Sequence, residues 1–99
     1  MNLERLRKKI DGLNAEIIAL FSERLKVTKE IAIVKKEHNL PLDDLVREEK
    51  QRELLRNLAK KHNLSPAVIE EIFALFVDYS KLNMKMEMVR HEKHRLSGN

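Results

Sequence analysis

Two positively charged side chains, Arg24 and Lys35, stand in a stripe of residues that is otherwise apolar. Steps of three and four residues from position 3 to position 34 meet mainly leucine, isoleucine and valine, which is the spacing of one helix face. At about 100° of rotation per residue, Arg24 lies near the middle of this face and Lys35 returns to nearly the same azimuth. Paired cations on a face built for burial have the charge and placement to bind a small dianion.

Both cations also have a structural explanation, in which each extends to solvent or pairs with an acid on a neighbouring helix. The two positions are about 16 Å apart along the helix axis, so their long side chains could lean toward each other around one ligand. The sequence leaves both explanations open.

Further polar residues occur where the second and third helices are expected. The stretch "DDLVREEK" places Asp44, Arg47 and Glu48 within one turn, with Asp44 and Glu48 stacked at i and i+4. Such a string most often marks a capped helix start with solvated charges. Ser80 interrupts the apolar face of the third helix, where a lone serine usually bonds back to its own helix. None of these residues specifies a site by itself.

Three helices must position these side chains, at about residues 3–38, 44–61 and 65–92. The chain therefore reads as one all-α domain over residues 1–99, with a frayed tail from about residue 92. The first helix is long for a globular protein, and a chain of this size gains core by burying surface against a second copy. An oligomer is expected.

Side chains that cap or break helices mark the boundaries between these elements. Pro41 ends the first helix, and Asp43 or Asp44 caps the second. Ser65 caps the third helix, with Pro66 at its first position.

Composition excludes several classes of function. The 99 residues contain no cysteine, so there is neither a disulfide framework nor thiolate chemistry, and a reducing cytoplasm is expected. No apolar run is long enough to cross a membrane. The net charge is +4, but lysine and arginine alternate with glutamate and aromatic residues are scarce, so nucleic-acid binding is not predicted. His91 and His94 stand at i and i+3, but no carboxylate triad accompanies them and the tail is expected to fray. A metal site is therefore only a weak alternative, and no metal or other cofactor is predicted.

Four stretches together carry a family resemblance: "LRKKID", "ERLKVTKEIAIVKKE", "LPLDDLVREE" and "IFALFVDYSKLNM". Their order and spacing resemble the all-helical (AroQ) class of chorismate mutase up to about residue 90. The resemblance implies an intertwined homodimer of three-helix chains with two equivalent active sites. It also implies the Claisen rearrangement of chorismate to prephenate, in the shikimate pathway to phenylalanine and tyrosine. That reaction uses no cofactor and no covalent enzyme intermediate.

The family roles, carried over by position, assign most of the polar residues to the carboxylates of the substrate. Arg24 would hold one carboxylate, and Arg7 of the other subunit would hold the second carboxylate region. Arg47 would help to orient the carboxylates, and Ser80 would contact one of them. Helix geometry supports the cross-subunit role of Arg7 independently. Arg7 lies about 25 Å along the helix from Arg24 and about 100° around it, so one helix cannot bring both side chains to one small molecule, whereas a second chain could.

The remaining roles concern the ring hydroxyl and the breaking bond. Lys35 would bind a carboxylate and the ether oxygen, while Glu48 and the backbone near Asp44 would bind the ring hydroxyl. The family usually has glutamine or glutamate where this chain has Met84, and a thioether has no proton to donate to the ether oxygen. Lys81 and a bound water are the other candidate donors. Met84 therefore permits a weak mutase or a site with changed chemistry. The expected function is a chorismate mutase with Lys35 as its main donor to the ether oxygen.

Two further classes of function stay open at this point. A lyase acting on isochorismate, or a mutase of aminodeoxychorismate, would use a similar cationic pocket. A non-catalytic helical dimer that senses chorismate or prephenate would bind without turnover, and Met84 favours this alternative.

Overall fold

A computed structural model describes residues 2–97, with the side chains at positions 91 and 94–97 left undescribed. It contains three helices: α1 (Leu3–Glu37), α2 (Leu45–Lys61) and α3 (Pro66–Ser97). The predicted all-α class is confirmed, and the predicted starts and the first two ends lie within one residue of those observed. The third helix extends beyond its predicted end near residue 92, because neither glycine nor proline interrupts the chain before position 98. Residues 98 and 99 of the tail expected to fray lie outside the described residues.

The helix starts are fixed by side-chain caps. Of the two aspartates proposed for α2, Asp44 is the cap, and its Oδ1 accepts a hydrogen bond from the Arg47 amide at 3.0 Å. Before α3, Ser65 Oγ accepts from the Val68 amide at 3.4 Å. These caps satisfy amides that would otherwise have no partner in the first turn.

The helices α1 and α2 end in the same backbone conformation, because the sequence His-Asn-Leu is repeated at both ends. Asn39 and Asn63 adopt left-handed backbone angles, with φ of 55° and 58°. The amide of the next residue then donates to a helix carbonyl at 2.8 Å, Leu40 to Lys35 and Leu64 to Ala59. This is the Schellman arrangement, in which asparagine is an accepted substitute for glycine.

The second half of α1 packs along α3 in the same direction. Phe21 stacks against Phe76 with ring centroids 4.7 Å apart. Further along both helices, Lys36 Nζ lies 2.8 Å from Glu92 Oε2. These contacts advance together along the two helices, so α1 and α3 are parallel where they touch.

α2 packs on α3 in the opposite direction. Lys81 of α3 is paired with Glu48 near the start of α2, whereas Arg56 near its end is paired with Glu70 near the start of α3. α3 is therefore the element against which both other helices pack. Across the described part of the chain, no helix is long and apolar enough to cross a membrane.

The first half of α1 is not covered within one chain. Every residue from 2 to 20 is exposed. Its apolar stripe, at 44% to 65% exposure, consists of Leu3, Leu6, Ile10, Leu13, Ile17 and Leu20. Among the side chains described, the buried apolar ones are only Ala32, Ala59 and Met84, so the core of a single chain is small for its length.

Candidate active site

Arg24 is held by the one buried polar side chain of the described chain. Its Nη1 donates a hydrogen bond to Ser80 Oγ at 2.9 Å, and Ser80 is 4% exposed. Ser80 Oγ in turn donates to the Phe76 carbonyl oxygen at 2.8 Å, as expected for a serine within a helix. The Ser80 proton is thus already used, and its oxygen orients the guanidinium of Arg24.

Lys35 is held by the loop between α1 and α2. Its Nζ donates to the Leu42 carbonyl oxygen at 2.7 Å, and the side chain is half-buried. Neither Lys35 nor Arg24 forms an ion pair with any described residue. Within the described part of one chain, neither cation thus has the acidic partner that the structural explanation requires.

Glu48 is paired with a lysine of α3. Lys81 Nζ lies 2.7 Å from Glu48 Oε1 and 3.2 Å from Asp43 Oδ1. The hydrogen bond to Glu48, and then the one to Asp43, raise the pKa of Lys81 above its ordinary value of 10.5. Lys81 therefore remains a cation throughout the neutral pH range.

The side chains that make these contacts, or lie next along the chain to a residue that does, are called here the polar cluster: Arg24, Lys35, Asp43, Glu48, Ser80 and Lys81. Ser80 and Lys81 are consecutive in α3, and Asp43 follows the residue whose carbonyl binds Lys35. The cluster thus draws on α1, the first loop, α2 and α3. Its formal charge is +1, and both carboxylates are directed to Lys81, so two cations retain only neutral oxygen partners.

The other predicted site residues lie outside this group of contacts. Arg7 is exposed on the uncovered half of α1, and its side chain has no hydrogen-bond or ion-pair partner among the described residues. Asp44 and Arg47 are exposed at the start of α2, where the Asp44 carboxylate serves as the helix cap. Met84 is 7% exposed, one turn after Ser80.

An open groove of about 560 Å³ runs between α2 and α3. Glu48 and Lys81 line one part of it, and Leu55, Phe73 and Val77 form apolar walls. The groove therefore adjoins the polar cluster, although Arg24, Lys35 and Met84 do not line it. No set of three or more potential metal ligands is grouped within the described residues.

The sequence matches the family model for chorismate mutase type II over residues 6–85. The chain belongs to the chorismate mutase type II family. The matched region contains every residue of the polar cluster and also Arg7, Asp44, Arg47 and Met84.

The relatives of this chain include a protein of similar length and longer proteins of which the match covers only part. The chorismate mutase of Methanocaldococcus jannaschii is 31% identical over 83 residues, which cover 84% of each chain. The bifunctional chorismate mutase/prephenate dehydratase of Escherichia coli K12 is 31% identical over 86 residues, or 87% of this chain and 22% of that protein. The T-protein of Haemophilus influenzae is 35% identical over 81 residues, again 22% of its length.

Sequence reasoning did not anticipate the pairing of Lys81 with Glu48. The sequence suggests Lys81 only as a replacement donor near the ether oxygen. The missing information was the antiparallel packing of α2 on α3, which brings position 81 to position 48. The adjacency of Lys81 to Ser80 was the one signal in the sequence that placed it near the site.

Proposed function

We propose that two copies of this chain form a chorismate mutase, an isomerase that rearranges chorismate to prephenate within each of two equivalent sites. The polar cluster of one subunit provides most of each site. The exposed first half of α1 provides the rest, by packing against the partner and carrying Arg7 into the site of that partner.

One observation carries this proposal. Arg24 and Lys35 are half-buried cations whose hydrogen bonds go to neutral oxygens, a hydroxyl and a backbone carbonyl. A charge withdrawn from water without a counter-ion is unfavourable, and a structural role would normally supply a carboxylate. A dianion with two carboxylates supplies the missing counter-charges.

The chemistry asked of such a site is positioning and electrostatic stabilisation. The rearrangement is unimolecular, so holding the substrate in its compact conformer supplies much of the rate enhancement. The ether oxygen gains negative charge as the C–O bond breaks, and a cation held beside it stabilises that transition state. Lys35 is assigned this task, with one of its three N–H donors already anchored on Leu42 and two left for substrate.

The uncovered face of α1 supports the dimer. A helix of 35 residues is about 52 Å long, and its apolar stripe is exposed over the first half within one chain. A second copy, related by a two-fold axis, would cover the same stripe on both subunits. Arg7 lies on this half, too far from Arg24 for one helix to bring both side chains to one small molecule.

The decisive experiment measures the rates at which chorismate is lost and prephenate is formed in the presence of purified protein. These rates are compared with those of the uncatalysed reaction. Lys35→Ala should remove the activity, whereas Lys26→Ala, which changes an exposed lysine of the same helix, should retain it. Assays with isochorismate and aminodeoxychorismate test the related reactions. If calorimetry shows that the protein binds chorismate but the assay shows no turnover, the protein is a chorismate sensor and not an enzyme.

A further inference from the structure

Lys81 has no part in the family roles carried over above, yet it makes both ion pairs that the polar cluster contains. Its Nζ lies between a carboxylate of α2 and a carboxylate of the first loop, at 2.7 Å from Glu48 and 3.2 Å from Asp43. Its side chain is 34% exposed and that of Glu48 is 27% exposed, so the pair is partly shielded from solvent. Such a pair is screened less than one on an open surface.

The two oxygens of the Glu48 carboxylate have different surroundings. Oε1 is engaged by Lys81, while Oε2 accepts no hydrogen bond from the described residues. An ionised carboxylate can accept several hydrogen bonds, so Oε2 remains open to a hydroxyl donor. Fixing one oxygen reduces the rotameric freedom of the side chain and leaves the other oxygen in a defined place.

The same pair resolves an electrostatic conflict within the cluster. An uncompensated negative charge nearby weakens a site that attracts a dianion through Arg24 and Lys35, because like charges repel each other. Lys81 lies closer to Glu48 than to Asp43, and the Asp43 side chain is 64% exposed to screening by solvent. Lys81 therefore mainly offsets the charge of Glu48, and it does so without removing the acceptor oxygen of that carboxylate. Asp43 of the loop between α1 and α2 also contacts Lys81, so the lysine is anchored by two elements.

We propose that Lys81 is a positioning residue that makes Glu48 compatible with a dianionic substrate, by neutralising its charge and fixing one oxygen while the other accepts the ring hydroxyl. This inference rests on the proposed mutase function, in which Glu48 contacts the substrate. Lys81 acts through Glu48 and does not itself touch the reacting atoms.

The test is a double-mutant cycle with a matched control. Lys81→Met keeps most of the length of the side chain and removes its charge, and Lys81→Arg keeps the charge. Lys85→Met makes the same neutral change one turn later on α3, at an exposed lysine. Each variant is assayed for kcat and KM with chorismate, alone and, for Lys81→Met, combined with Glu48→Gln.

Lys81→Met should raise KM about tenfold with a smaller change in kcat, within the coupling range found for residues in direct contact. Lys81→Arg should restore most of the affinity, and Lys85→Met should match the unmodified protein. In the Glu48→Gln background, Lys81→Met should change KM by less than about twofold, because the charge it compensates is gone. If the Glu48→Gln variant turns over too slowly for kinetics, the Kd for prephenate, measured by calorimetry for the same variants, completes the double-mutant cycle.

An equal effect of Lys81→Met in both backgrounds would overturn the proposal, since Lys81 would then act on the substrate directly. A change in melting temperature with unaltered KM and Kd would also overturn it and leave a purely structural ion pair. If the unmodified protein does not convert chorismate, the proposed function itself fails. Normal turnover with a silent Lys81→Met variant defeats only this inference.

Discussion

Mixing two inactive variants, Arg7→Ala and Arg24→Ala, should restore activity if each site takes one arginine from each subunit. The two positions are about 25 Å apart along α1, from 17 residues at a rise of about 1.5 Å each. An extended arginine side chain reaches far less than half of this distance. A single chain therefore cannot place both guanidinium groups on one small dianion, but two chains can.

The expected recovery follows from counting sites. Random exchange of subunits makes about half of all dimers mixed, and each mixed dimer holds one intact site of two, so activity should reach about a quarter of that of the unmodified protein. The variants are mixed, unfolded, refolded together and assayed for loss of chorismate. Native mass spectrometry on the same sample measures the fraction of mixed dimers.

A matched pair of variants serves as the control. Arg24 and Lys35 belong to the same polar cluster of one chain, so mixing Arg24→Ala with Lys35→Ala leaves every site damaged and should restore nothing. Equal recovery in both mixtures would refute the cross-subunit assignment of Arg7. A fully active compact monomer in sedimentation would refute the dimer as well.

Three further outcomes are expected from single substitutions. Arg24→Ala and Lys35→Ala should each nearly abolish turnover while thermal melting shows stability changed by only about 1 kcal/mol, because each loses one hydrogen bond and no ion pair. Met84→Gln should raise kcat about tenfold in steady-state kinetics, which corresponds to about 1.4 kcal/mol of added transition-state stabilisation. Asn63→Gly should raise the melting temperature by an amount equivalent to roughly 0.5–1 kcal/mol, because glycine adopts its positive φ with less strain.

Each of these outcomes has a result that contradicts it. A loss of about 3–5 kcal/mol on removing either cation would indicate a structural ion pair in the assembled protein. A less stable Met84→Gln protein with unchanged kcat would place Met84 in the core rather than beside the substrate. A lower melting temperature for Asn63→Gly would mean that the asparagine side chain contributes more than its backbone angle costs.

Local sequence signals were sufficient to predict the helices, apart from the end of α3. Pro41 and Pro66 act within one or two residues of their own position, and the side chains of Asp44 and Ser65 bond amides three residues away. Such effects can be read from the order of residues, because the fold adds little to them. The choice between Asp43 and Asp44 as the cap of α2 needed the structure, since both are competent caps in adjacent positions.

For the candidate site too, the local features could be predicted from the sequence, whereas the contacts made by tertiary packing could not. Helical periodicity placed Arg24 and Lys35 on one face, but it could not tell which atoms would receive their hydrogen bonds. Those partners, Ser80 and Leu42, come from elements whose positions depend on tertiary packing. The role of Arg7 depends on a second chain and stays a prediction.

The central position of α3 has a consequence for the order of folding. Contacts between α2 and α3 close short loops, with Arg56 and Glu70 only 14 residues apart in sequence, whereas Arg24 and Ser80 are separated by 56. A fourfold longer loop costs about 1.2 kcal/mol more in closure entropy. The α2–α3 hairpin is therefore expected to form early and α1 to dock on it later, and assembly of the proposed dimer would add a bimolecular step whose rate depends on protein concentration.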